Sequence, residues 1–166
     1  LRNMPKDVDF DLTKVANDVF EKVATAKVST SAKEAMELGY LDQGDAISAN
    51  PDHLIYDAKQ KVLSLAEAGY RAPAREMIPV VGDAGYAAMA LGAKNLQLSG
   101  YASEYDVKIA EKLAYVLSGG RIKEGSVIDE QTMLDLEREA FLSLIGEPKT
   151  QARMQHMLMK GKPLRN

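Results

Sequence analysis

The sequence predicts a mainly α chain, a succession of helices with at most a short strand near 46–48. Three kinds of observation lead there. Apolar residues recur at helical spacing in several segments, the clearest being Leu12, Val15, Ala16, Val19, Phe20, Val23 and Ala24. Short polar residues stand just ahead of these segments, where a side-chain oxygen can accept from the free N–H groups of a first turn. Glycine stands just behind them, at Gly39, Gly69, Gly100, Gly119 and Gly146, where the backbone can leave the helix through the left-handed region.

Taken in order, Asp9 and Asp11 favour a first helix starting near residue 11, because a short polar acid suits a helix N-terminus. Ser31 and Glu34 have capping-box spacing and open a short helix over 32–38 that carries Ala35, Met36 and Leu38. Ala46-Ile47-Ser48 is the extended piece. Asn50-Pro51-Asp52 reads as cap, fixed-φ first residue and dipole-favoured acid. The helix behind it bears Leu54, Ile55, Ala58, Val62, Leu65 and Ala66. Residues 70–82, with Pro73 and Pro79, predict an irregular connection. Asp83 starts a helix running through Leu98, and Ser103 caps one bearing Ile109, Ala110, Leu113, Ala114 and Leu117. Residues 121–128 form a loop with a few extended residues. Asp129 caps the next helix, with Ile128 and Met133 spaced for a hydrophobic staple, and Pro148 opens a last helix to about Lys160.

At 166 residues the chain is long enough for one ordinary domain with a substantial core. It is 46% hydrophobic and 27% charged, with three Phe and no Trp, so Leu, Val, Ala and Met are the expected core formers. A net charge of −3 argues against broad nucleic-acid binding, which depends on neutralising many phosphates. The absence of cysteine excludes disulfides, thiolate metal sites and cysteine nucleophiles. Two histidines do not make a zinc site by themselves. The most apolar region, 77–98, is interrupted by Pro79, Asp83 and Lys94, so no membrane span is expected. The opening Leu1-Arg2-Asn3-Met4-Pro5 has neither an initiating Met nor a signal-like core, and suggests a piece of a longer, cytoplasmic polypeptide.

Several motifs invite chemistry and fall short of it. Ser31, Ala35 and Gly39 match the start of a DNA-binding helix-turn-helix, but the residues that follow include Asp42, Gly44 and Asp45 rather than a basic recognition helix. Gly82-Asp83-Ala84-Gly85 resembles a phosphate-binding helix start, yet it lacks the three spaced glycines of a dinucleotide loop, and Asp83 repels an anion. A turn in which glycine relieves a crowded approach is the simpler reading. Asp135, Glu137 and Glu139 lack the Glu-x-x-His partner of a di-iron site and read as a solvated helix face. No metal site is assigned. His53 and His156 read as surface residues. From Pro148 onward the chain carries Lys149, Arg153, Lys160, Lys162 and Arg165 with no acid. That run reads either as cations complementing a helix end or as a patch able to meet phosphates.

Residues 26–41 resemble the Ser-Ala-x-Glu-Ala-x-x-x-Gly-Leu-Val element of the crotonase superfamily, the enoyl-CoA hydratases and their relatives. Residues 137–147, Glu-Arg-Glu-Ala-Phe-Leu-Ser-Leu-Ile-Gly-Glu, and the ending 157–166 are similar to the extreme C-terminal part of bacterial multifunctional 3-hydroxyacyl-CoA dehydrogenases that carry a crotonase-like domain. The resemblance implies that 1–50 close a crotonase-like α/β core, with 51–166 as one compact helical region. It implies a parent enzyme of fatty-acid β-oxidation, acting on acyl-CoA with NAD in its dehydrogenase part. It also implies partnership with the missing N-terminal part of the same chain and a homo-oligomer, since the last helix of several members reaches a neighbouring subunit.

In that family an apolar side chain of the last helix approaches the adenine of CoA and a lysine meets its phosphates. Aligned without a gap, Met157 takes the aromatic position and Lys160 the lysine, with Lys162 close behind. Met in place of Phe and Gly161 in place of Arg depart from the pattern. The family's oxyanion-hole loops and acid–base glutamates precede the Ser-Ala-x-Glu-Ala element, and the dehydrogenase's nucleotide loop and histidine find no match here. No catalytic residue is therefore assigned, and the fragment alone is expected to be inactive. The rival reading is a non-enzymatic helical interaction module.

Overall fold

The structure, a computed structural model, describes residues 11–166. Asp9, the earlier of the two acids expected at the first helix start, lies outside the described residues. The fold is mainly α, as the sequence predicts. In chain order it comprises α1 (Leu12–Ala24), α2 (Ala32–Glu37), a 3-10 turn (Pro51–His53) running into α3 (Leu54–Glu67), β1 (Met77–Pro79), α4 (Gly82–Leu98), α5 (Glu104–Leu117), β2 (Val127–Asp129), α6 (Glu130–Ile145) and α7 (Pro148–Lys160).

The caps are those the sequence proposes. Asp11 accepts from the Lys14 N–H at 3.0 Å. Ser31 accepts from the Glu34 N–H at 3.1 Å, while the Glu34 carboxylate reaches the N–H and hydroxyl of Thr30, one residue earlier than the box predicts. Asn50 accepts from Asp52, and Asp129 from Thr132. Ser103 and Asp106 close a full reciprocal box at the start of α5. Each satisfies backbone donors that the first turn leaves without a helical partner.

The strand is elsewhere than expected. Residues 46–48 form none, and Ile47 is more than half exposed. Extended backbone becomes a strand only when a partner accepts its hydrogen bonds, and the pair forms between β1 and β2 instead. They run antiparallel, with Met77 opposite Asp129, Ile78 opposite Ile128 and Pro79 opposite Val127. Pro79 argued for irregular structure, but a two-stranded ribbon consists of edges, where a residue without an N–H is tolerated.

The chain divides into two compact units. Among the described residues, the first unit holds 28–75 and the second holds 11–27 with 76–166. In the first, Ala35 is buried on α2, whereas every residue of α3 is exposed. Ile55 is 85% exposed, Val62 64% and Leu54 58%. An amphipathic helix gains most of its stability from packing its apolar face, and the stripe of α3 is not packed within this unit.

The second unit has a packed centre. Phe20 of α1, Val81 ahead of α4, Met89 and Ala93 of α4 and Ala114 of α5 form its buried cluster, flanked by Leu12, Ala16 and Ala110. Within α1 the packing residues are Leu12, Ala16 and Phe20; Val19 and Val23 face outward, so the buried stripe is narrower than the seven residues expected. Ser118, fully buried, joins α5 to α4: its carbonyl accepts from the Gly82 N–H at 3.1 Å, and its hydroxyl lies 3.0 Å from the Tyr115 carbonyl oxygen.

Candidate functional site

Met157, Lys160 and Lys162 all lie at the far end of α7. Pro148 fixes the start of this helix, and Gly161 ends it in the left-handed region at φ 64°, its N–H donating to the Met157 carbonyl at 2.8 Å. Met157 and Lys160 are three residues apart and so share a helix face. Met157 is about half exposed and Lys160 is exposed. Lys162 is also exposed, on the segment that turns back from the helix. Among the described residues no carboxylate is within ion-pair range of either lysine.

The positive tail read from the sequence is thus divided. Arg153 points inward from α7, its guanidinium 2.7 Å from an Asp106 carboxylate oxygen and 2.8 Å from Asn166 Oδ1. Lys149 lies with its Nζ 5.5 Å from the centre of the Tyr105 ring. Arg165 reaches the Tyr101 carbonyl. These three cations engage α5 and the turn ahead of it, leaving Lys160 and Lys162 to project from the turn after α7.

Tyr105 is the residue that sequence reasoning missed. Only 5% exposed, it has Lys108, Lys149 and Arg153 within 5.7 Å of its ring centre, and its hydroxyl shares a 2.7 Å hydrogen bond with Thr150. The negative face of an aromatic ring attracts such cations. The spacing of Lys149 and Arg153, one turn apart, was visible in the sequence. The tyrosine between them stands more than forty residues earlier, as the 45-residue separation of Tyr105 and Thr150 shows.

Two groups here have shifted pKa values. Partial burial of Asp106 opposes its ionisation, but the Ser103 N–H and hydroxyl and the Arg153 guanidinium outweigh it and hold the pKa below the ordinary value. Lys108 is raised, chiefly by its hydrogen bond to Glu147 at 2.6 Å, with the negative charge of Glu147 adding to it.

The glycine cluster is a turn. A Cβ on Gly82, whose φ is +56°, would stand 2.4 Å from the Glu124 backbone nitrogen. The N–H groups of Gly82, Asp83 and Gly85 donate to Ser118, Ile122 and Val81, and Asp83 pairs with Arg121 at 2.7 Å. Three N–H groups of this helix start are thus already taken, and the Asp83 carboxylate stands beside it, so the turn does not fit a dinucleotide phosphate. Asp135, Glu137 and Glu139 are exposed, and Asp135 bonds Gln131 and Arg138. An open cleft of about 410 Å³ is lined by Tyr86, Lys108, Glu111, Lys112, Tyr115, Arg121 and Glu139. Lys108 and Arg121 are paired with Glu147 and Asp83, so its charges are largely balanced and it is not selective for an anion. His156 is half-buried on α7, rather than on the surface as expected; His53 is exposed.

Comparison with known proteins finds a likeness to a named bacterial protein. The chain is 57% identical over 156 residues to the "Probable 3-hydroxyacyl-CoA dehydrogenase" of Bacillus subtilis (strain 168). The match covers 94% of this chain and 20% of that protein. The chain therefore spans about a fifth of the length of the curated relative it matches. That name agrees with the dehydrogenase part of the resemblance drawn from residues 137–147 and 157–166. No family model matches the chain, and no solved structure does. Among the described residues no helix is long and apolar enough to cross a membrane.

Proposed function

We propose that this chain belongs to a fatty-acid β-oxidation polypeptide that oxidises 3-hydroxyacyl-CoA with NAD and carries an enoyl-CoA hydratase-like part. The observation that carries this reading is the 57% identity over 156 residues to a protein named as a 3-hydroxyacyl-CoA dehydrogenase. Within the cytoplasmic enzyme, residues 1–50 end the crotonase-like core and 51–166 form the helical region behind it. NAD binds to other parts of the polypeptide, because the helix start at Gly82 is crowded and three of its N–H groups are already paired.

The contribution of this chain is to close the CoA side of the site. Lys160 and Lys162 are exposed and lack carboxylate partners among the described residues, which suits them to phosphate oxygens. Met157, on the Lys160 face of α7, offers a polarizable thioether to the flat adenine. None of these three residues touches the thioester, and the chemistry is performed by groups elsewhere. The uncovered stripe of α3 docks on the remainder of the same polypeptide, which in the relative is about four times as long as the matched part.

The exposure of α3 also favours a second reading, a helical module that serves only to join proteins. Activity separates the two. The complete polypeptide should reduce NAD when given a 3-hydroxyacyl-CoA ester, and residues 1–166 alone should not. Complete protein without turnover on any such ester, yet retaining partner binding through α3, would leave the module reading standing.

A further inference from the structure

The segment after α7 is fastened at both ends. At one end Gly161 turns out of the helix with its N–H on the Met157 carbonyl, 2.8 Å away. At the other, Asn166 returns to the middle of the same helix. Its Oδ1 accepts from Arg153 Nε at 2.8 Å, its Nδ2 lies 3.3 Å from the Lys149 carbonyl, and its main-chain oxygen accepts from the Ser103 hydroxyl at 3.0 Å. Residues 161–163 are exposed between these anchors, while Leu164 and Asn166 are half-buried.

We infer that Asn166 is a positioning residue, which through Arg153 latches the segment so that Lys160 and Lys162 face one anionic ligand together. The inference rests on the reading of those lysines as CoA-phosphate ligands and adds what holds them in place. A lysine is a flexible point charge and loses rotamer freedom when it binds. Lys160 is fixed only by the last turn of a helix, where fraying begins, and Lys162 lies beyond it. With the segment free, the two ammonium groups would be independent. Anchored at Asn166, the backbone between them is closed into a short loop, and less order has to be imposed by the ligand.

Arg153 is suited to be the fixed side of this latch. Its side chain is 19% exposed, it lies 5.2 Å from the Tyr105 ring, and Asp106 takes another face of its guanidinium. It does not reach the ligand; it holds the residue that closes the loop.

Binding of a CoA ester and of the matching pantetheine ester, which lacks the nucleotide phosphates, tests this in the complete polypeptide. Asn166→Ala should weaken CoA-ester binding roughly threefold to tenfold, the loss of about one hydrogen bond of order, and leave the pantetheine ester unchanged. In turnover the loss should fall on KM rather than kcat. Asn166→Asp keeps the oxygen that Arg153 holds and should restore most of the affinity. Lys160→Glu is measured alongside. If Lys160→Glu weakens CoA binding and Asn166→Ala does not, the latch is overturned and the lysine reading survives. If Asn166→Ala weakens both esters equally, the residue is merely structural and the latch is again overturned. If Lys160→Glu changes neither, the underlying reading fails and the latch with it.

Discussion

Arg153 and Asp106 are 2.7 Å apart, joining the middle of α7 to the first turn of α5 across 47 residues of sequence. Asp106 is at the same time the acid of the α5 capping box, accepting from the Ser103 N–H at 2.8 Å. One carboxylate thus starts a helix and seats another helix upon it. Asp106→Ala should lower stability by about 1–3 kcal/mol, because it removes hydrogen bonds to a charged group and leaves a largely buried guanidinium short of a partner. Asp106→Asn should lose less, since it keeps an acceptor. Urea unfolding of the chain with each substitution measures the difference; equal stability of the native and Ala forms would refute the seat.

The same carboxylate sets an acid limit. Its pKa is depressed in the folded state, so its stabilising contribution is complete above the unfolded value of about 3.9 and is lost as pH falls through the folded value. Lys108 works in the opposite sense: its pKa is raised, so its contribution is present below the unfolded value of about 10.4 and disappears as pH rises through the folded one. Thermal unfolding midpoints should therefore fall at both extremes, and Asp106→Asn should flatten the acid limb specifically. An acid limb unchanged by that substitution would assign it to other carboxylates.

Two glycines of α4 should respond oppositely to alanine. At Gly82 the left-handed φ and the Glu124 nitrogen 2.4 Å from the Cβ position leave no room, and Gly82→Ala should destabilise by more than about 1 kcal/mol. At Gly92 nothing lies within 4 Å of the Cβ position, and Gly92→Ala should stabilise by about 0.5–1 kcal/mol through lower unfolded-state entropy. Denaturation midpoints of the pair check the assignment of Gly82 to a crowded turn.

The stripe on α3 gives a third contrast. Ile55 and Val62 are 85% and 64% exposed, so Ile55→Glu or Val62→Glu should change the stability of residues 1–166 by no more than about 0.5 kcal/mol. In the complete polypeptide the same substitutions should be markedly destabilising, since they would bury a charge. Equal tolerance in both contexts would show that α3 stays in water.

Helix starts were legible because a cap is a local matter: Asp11, Ser31, Asn50, Ser103 and Asp129 each meet a donor two or three residues away. Ladder pairing was not, because Met77 and Asp129 are distant in sequence and neither segment alternates clearly. At the candidate site, the run of tail cations drew attention to the last helix, and the crotonase resemblance is what singled out Lys160 and Lys162 within it. What the sequence could not reveal is that Arg153, Lys149 and Arg165 leave that run to bind Asp106, Tyr105 and Tyr101. Those partners lie on α5 and ahead of it, and only the packing of the last helix brings them near.

We propose that the end of α7 meets the phosphates of a CoA thioester. It is tested most directly by titrating the complete polypeptide, and its Lys160→Glu, Lys162→Glu double variant, with a 3-hydroxyacyl-CoA ester and its pantetheine counterpart at low and high salt. The double variant should lose affinity for the CoA ester alone, and the loss should shrink as salt screens exposed charges. Equal affinity of native and variant protein for the CoA ester at low salt would contradict it, and would return both lysines to the ordinary role of cations at a helix C-terminus.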